Sequence, residues 1–210
     1  MYSIKLLIII FLLTITHVNA VVKVDPEVIQ TIQNYLKTID NLVINFTQTN
    51  LNEKTVHGKL LISKPYKFRC NYYAPYPLLI VGNKTYISIY DYQMNTLSRT
   101  TASGNFLYIL VSQKPDFSVI HQATKKNDEF LLGLIDQETS NYITFIFSNK
   151  PELKNITVDQ PDGNIIKINF YNHKRAKKID NKLFSIHNPN VFGPIEYLDE
   201  ETLKKYYSLY

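Results

Sequence analysis

Between Asp25 and Asp40 the apolar positions recur three or four residues apart. Val28 or Ile29, Ile32, Leu36 and Ile39 form one stripe, and the positions between them are mostly polar. Asp25-Pro26 has the chemistry of a helix start, a capping carboxylate followed by proline at the first helical position. The pattern predicts one amphipathic helix with a single covered face. From residue 42 the period drops to two. Leu42, Ile44 and Phe46 alternate with Val43, Asn45 and Thr47, and Val56, Gly58, Leu60 and Ile62 alternate with His57, Lys59, Leu61 and Ser63. Alternation resumes at Phe68, Cys70 and Tyr72, then over Leu78 to Val81 and, past a Gly82-Asn83-Lys84 turn, over Tyr86 to Tyr90. Pro65 breaks the run between Ile62 and Phe68, which predicts a sheet edge or opening there.

Asn105 to Ser112 (NFLYILVS) is too apolar for one face of a strand. It reads as a buried strand or a short helix, and the preceding Ser103-Gly104-Asn105 turn favours the helix. Further strands are predicted over Ser118 to Gln122, Glu129 to Ile135, Tyr142 to Phe147 and Lys154 to Asp159. Pro161-Asp162-Gly163 then closes a hairpin onto Ile166, Ile168 and Phe170. About eleven antiparallel strands is near the size at which an open sheet curls. The expected fold is α+β, mainly antiparallel β: a curled sheet with an apolar concave face and helices over it, enclosing a cavity.

The first twenty residues stand apart from this grammar. Lys5 is followed by an apolar run from Leu6 to Leu13 and by Val18-Asn19-Ala20, the layout of a secretory leader cleaved after Ala20. The run is shorter than the roughly 20 residues of a membrane-spanning helix. Residues 21–210 are expected to form one soluble, exported domain, without a linker to divide it. With Cys70 as the only cysteine, no intramolecular disulfide can form. The formal net charge of +5 accompanies a chain rich in Lys, Asn, Ile and Tyr, so it reads as general composition and no nucleic acid is expected as partner. The dense cluster His173 to Lys178 reads as a solvated turn or strand end, or as a contact for acidic lipid or an acidic partner. The triplets at Asn45, Asn83 and Asn155 are chance glycosylation signals in an Asn- and Thr-rich chain.

Catalytic patterns are missing. The chain has no nucleophile elbow, no glycine-rich phosphate loop and no His/Cys/Asp grouping at metal-ligand spacing, so neither an enzyme nor a cofactor is expected. Cys70, between aromatic neighbours, reads as a small core hydrophobe.

Several short pieces, in order, resemble the LolA family of periplasmic outer-membrane lipoprotein carriers. They are Asn45-Phe46-Thr47-Gln48; Gly58-x-Leu60-x-Ile62-x-x-Pro65-x-x-Phe68-Arg69; Leu79-Ile80-Val81; Tyr90-Asp91 with Leu97; and Leu183-Phe184-x-Ile186-x-x-Pro189 as a closing strand. The resemblance implies an unclosed barrel with helices as a lid and acyl chains bound beneath. It also implies partners: acylated lipoproteins, an inner-membrane ATP-driven exporter and an outer-membrane receptor. A periplasmic monomer is expected. Leu36, Leu60, Ile62, Phe68, Tyr72, Ile80, Phe106 and Ile109 are the candidate cavity and lid residues, with Phe68 also at the mouth where cargo transfers. Lys64 stands where the family typically has an arginine that holds the lid, and Cys70 where a tryptophan is common. A lysine offers a point charge in place of a planar fork. The related receptor, itself a lipoprotein, would need a cysteine at the cleavage site, where this chain has Val21. The alternative is a lipid-sensing regulatory domain of the periplasm.

Overall fold

The computed structural model describes residues 23–49, 54–102 and 104–210. The proposed leader, residues 1–20, lies outside them. Helix α1 (Pro26–Lys37) begins as its sequence predicts: Asp25 Oδ1 accepts from the Glu27 N–H at 3.0 Å, and Val28, Ile32 and Leu36 are its buried stripe. The stripe packs against β7 (Ile120–Lys126) and β8 (Glu129–Ile135).

The remaining strands are β1 (Asn41–Thr49), β2 (Thr55–Ser63), β3 (Lys67–Tyr72), β4 (Leu78–Gly82), β5 (Tyr86–Asp91), β6 (Thr96–Thr101), β9 (Tyr142–Phe147), β10 (Leu153–Asp159), β11 (Ile165–Ile179) and β12 (Tyr207–Leu209). They form one curled, unclosed antiparallel sheet in the order β6-β5-β4-β3-β2-β1-β11-β10-β9-β8-β7, with β12 added on β11. Short hairpins link neighbours in the meander, while the β1–β11 pairing joins distant parts of the chain, as do the addition of β12 to β11 and a parallel bridge between Val24 and Ala123. Strand β6 ends the order on one side and β7 on the other.

Three expectations change. Pro65 marks no gap in the sheet, because β2 and β3 stay paired up to Ser63 and Lys67. The alternation breaks there because the chain reverses, with Tyr66 at a φ of 66°. The strand expected at Ser118 to Gln122 starts at Ile120 and runs to Lys126. The expected closing strand at Leu183 to Pro189 is instead a 3-10 turn over Asn181–Phe184 followed by non-strand chain.

Because side chains alternate across a strand, the sheet carries two cores. The concave face buries Leu42, Ile44, Phe46, Leu60, Ile62 and Phe68 against α1 and the segment from Phe106 to Val111. That segment ends in the short helix α2 (Tyr108–Val111), as the turn before it predicts. The convex face buries Val43, Leu61, Leu79, Val81 and Tyr90 beneath a C-terminal strap that supplies Leu183, Phe184, Ile186, Leu198 and Leu203. Two glycines make room for concave-face aromatics. Gly58 pairs with Phe46 and Gly82 with Phe68, and a Cβ at either glycine would sit 2.4 Å and 2.0 Å, respectively, from the facing ring.

Candidate functional site: an apolar cavity under the helices

The concave core is not completely filled. A cavity of about 250 Å³ lies between the wall formed by β1 to β6, the inward residues of β10 and β11, and the Phe106-Leu107 approach to α2. Phe46, Leu60, Phe68, Cys70, Tyr72 and Ile80 line one side; Ile156, Ile168 and Phe170 line the other. Among the described residues of the lining, Thr100, Asn105 and the Tyr72 hydroxyl are the uncharged polar groups, and no residue is charged. Such a lining offers nothing to an ion and suits hydrocarbon.

Polar atoms at the edge are occupied. Tyr72 donates its hydroxyl to Gln48 Oε1 at 2.8 Å, and Tyr108 donates its own to Asn83 O. Burial pushes the Tyr108 phenol up to about 12 and raises that of Tyr72. Burial also pushes the Cys70 thiol up to about 12, outweighing the opposing pull of Arg69, so the sulfur stays protonated and faces the cavity as a small apolar group. Edge-on aromatic contacts stiffen the wall: Phe46 with Tyr72 at 4.9 Å and Phe68 with Tyr108 at 6.0 Å.

The structure brings the eight apolar residues singled out from the sequence into one concave-face cluster. Leu60, Phe68, Tyr72, Ile80 and Phe106 line the cavity. Leu36, Ile62 and Ile109 lie in the close-packed part of the same cluster and do not line it. Phe68 is only 1 % exposed, so in this conformation it belongs to the wall and not to a solvent-facing mouth. Phe46, Ile87, Ile89, Ile156, Ile168 and Phe170, which line the cavity too, are not among the residues singled out from the sequence. Their places on the inward side of alternating strands are the signal that finds them.

Two cations meet the C-terminal end of α1. Lys64, in the β2–β3 turn, donates from Nζ to Leu36 O at 2.6 Å. Arg175, on β11, donates from Nη2 to Thr38 Oγ1 at 2.9 Å and from Nη1 to Thr38 O. Both positive groups therefore face the negative end of the helix dipole. The half-buried Lys64 has its pKa pulled down to about 8 by burial, against a smaller upward pull from Asp40. The same turn is tied on both sides, with the Lys64 N–H bonded to Asp40 O and the Tyr66 N–H to Val111 O, each at 2.8 Å. It thus sits between the ends of α1 and α2.

A mostly antiparallel, curled and unclosed sheet with few helices matches the LolA superfamily fold. The sequence family described as outer membrane lipoprotein carrier protein LolA matches residues 37–187, and the chain belongs to that family. An uncharacterized protein of Rickettsia prowazekii (strain Madrid E) is 36 % identical over 179 residues, covering 83 % of this chain and 84 % of its own. An uncharacterized conserved protein of Thermus thermophilus superposes with a TM-score of 0.50 at 10 % identity, over 78 % of this chain and 94 % of its own. A LolA superfamily protein of Nitrosomonas europaea gives 0.45 at 11 % identity, over 75 % and 97 %. The family is one of carriers and binding proteins of periplasmic type, not of enzymes. Among the described residues no helix is long and apolar enough to cross a membrane.

Proposed function

We propose that this chain carries the acyl chains of lipoproteins through the periplasm. On this reading it is exported by the leader of residues 1–20, works as a single 21–210 domain, takes cargo from an ATP-driven exporter in the inner membrane and hands it to an outer-membrane receptor. The observation that carries the proposal is the uncharged cavity lined by Phe46, Leu60, Phe68, Ile80, Ile168 and Phe170, within the concave core that also packs against α1, a helix held at one end by Lys64 and Arg175.

Size and energy give the cavity a working cycle. At about 250 Å³ it falls below the roughly 300 to 1,000 Å³ of pockets that enclose drug-sized ligands. On this reading an acyl chain enters as the Phe106–Val111 segment and α1 move off the sheet, and the structure stands for the closed carrier. Extraction from a bilayer costs about 0.8 kcal/mol per methylene, or about 24 kcal/mol for some thirty methylenes. That exceeds the roughly 18 to 21 kcal/mol at which non-covalent affinity saturates. Loading therefore requires a driven step, and the carrier needs only enough affinity to hold cargo between membranes. Lys64 and Arg175 act as the latch that sets how readily the cover opens.

The test is displacement of an environment-sensitive apolar dye from the purified protein. A diacylated or triacylated peptide should displace it and the same peptide without acyl chains should not. Equal displacement by both would show that the site reads peptide.

A further inference from the structure

The convex face carries a second, chemically different recess. Its volume is about 480 Å³, and Arg69, Lys182, Ser185, Ile186, His187 and Ile195 are among the residues that line it, between the sheet and the C-terminal strap. Arg69 projects from β3 on the face opposite Phe68 and Cys70 and is only 4 % exposed. Its Nη1 donates to Leu183 O at 3.2 Å and its Nη2 to Asn71 Oδ1 at 3.0 Å. Its Nε–H has no acceptor among the described residues.

Among those residues no anion balances this charge. Their ion pairs are Lys59–Glu200, Lys154–Glu129, Lys182–Asp180 and Lys204–Glu201, and Arg69 is in none of them. Burial works against its charge, and the groups that favour it are the phenols of Tyr92, Tyr73 and Tyr206 and the Cys70 thiol. Burial raises the pKa values of Tyr73, Tyr92 and Cys70 well above neutrality, so these three supply dipoles, not anions. A guanidinium cannot shed its proton to escape the cost of burial, as a lysine can. A buried cation without a counter-charge is therefore expensive to keep. Holding Leu183 O of the strap and Asn71 Oδ1 of its own strand would need only a neutral donor. Glu196 is the acid among the described lining residues and is itself exposed, and the exposed Lys182, which also pairs with Asp180 at 3.7 Å, lies at the same recess.

We propose that the convex-face recess binds an oxyanion, a carboxylate or phosphate, with Arg69 as its buried counter-charge. The planar guanidinium suits two-oxygen recognition of either group, and the neighbouring Ile186 and Ile195 leave room for a short apolar substituent beside it. The oxyanion is either free in solution or the headgroup of an amphiphile. This site lies across the sheet from the acyl cavity, and the proposal does not depend on acyl carriage.

The protein with arginine labelled by nitrogen-15 would be titrated at constant ionic strength with inorganic phosphate, octanoate, or a short-chain phosphatidic acid below its micelle concentration. Chloride serves as the control. The Arg69 Nε–H resonance, assigned by its loss in Arg69→Gln or its displacement in Ser185→Glu, should shift saturably. At 100 times Kd the ligand should also raise Tm by about 5 to 10 °C. A response to inorganic phosphate assigns a free oxyanion, and a response to the amphiphiles alone assigns a headgroup. Ser185 is exposed, so Ser185→Glu keeps the fold and places a carboxylate in the same recess. That variant should be more stable without ligand and should lose the response. No saturable shift with any of the three ligands, or an undiminished response in Ser185→Glu, would overturn the proposal.

Discussion

Lys64 Nζ donates to the main-chain oxygen of Leu36 at 2.6 Å, tying the turn between β2 and β3 to the C-terminal end of α1. The contact is not a simple gain. Leu36 O already receives the Ile39 N–H at 3.2 Å, and burial pulls the Lys64 pKa down to about 8. In an open form, with Lys64 in water, the pKa returns to its ordinary value of about 10.4.

If Lys64 acts as a latch, this difference makes the latch sensitive to pH. Below pH 8 the lysine is charged in both forms, and the closed form bears the full cost of burying the charge. Between about 8 and about 10.4 the closed form has lost the proton and the open form has kept it, so rising pH favours closure. Release of a fluorescent acyl peptide, measured by stopped flow from pH 7 to pH 9.5, should slow as pH passes 8 in the wild type. In Lys64→Leu the curve should be flat through that window. Parallel curves would remove Lys64 from the latch.

Arg175 should act without such a window, because a guanidinium stays charged throughout. Its two bonds to Thr38 sit at the exposed C-cap of α1, where a cation is worth about 0.3 to 1 kcal/mol from the dipole. Arg175→Met should therefore speed release about two- to five-fold at every pH, with Tm almost unchanged. An unaltered rate would leave the arginine as surface decoration.

The resemblance called for a cation at the lid, and the sequence offered Lys64; Arg175 was hidden inside the basic cluster His173 to Lys178. That cluster is no turn. It is the second half of the fifteen-residue β11, paired with β1 and β12. Its charged residues obscure the alternation, because only Ala176 and Ile179 there are buried. The helix stripe and the inward positions of β1 to β5 were legible because water lies on one side of each element and hydrocarbon on the other. The strap was not. Leu183, Phe184, Ile186, Leu198 and Leu203 follow no period, since irregular chain docks each of them separately on the convex face. Arg69 was passed over for a related reason. A charge on an alternating strand reads as solvent-facing, and only the strap makes that side an interior.

Phe68 tests the wall. A residue 1 % exposed, with its ring over Gly82, belongs to a sealed core. Phe68→Glu would bury an unpaired carboxylate where truncation alone costs about 3 to 5 kcal/mol. Thermal unfolding should show Tm lowered by at least about 10 °C, since each kcal/mol is worth about 2 to 4 °C in a domain of this size. Gly82→Ala, which forces the same ring aside, should lower Tm by a smaller amount, corresponding to about 1 to 3 kcal/mol. A Phe68→Glu protein that melts with the wild type would instead place the residue at a solvated rim.

The central claim is that acyl chains occupy the concave-face cavity. Its most direct test is a lipopeptide carrying a photoreactive diazirine near the end of one acyl chain, bound to the protein, irradiated, and mapped by mass spectrometry of the digest. Adducts are expected on cavity residues such as Phe46, Tyr72, Ile168 and Phe170, abolished by excess unlabelled lipopeptide. Competed adducts confined to the strap, at Ile186 or Ile195, or to the outer surface of the sheet would contradict it.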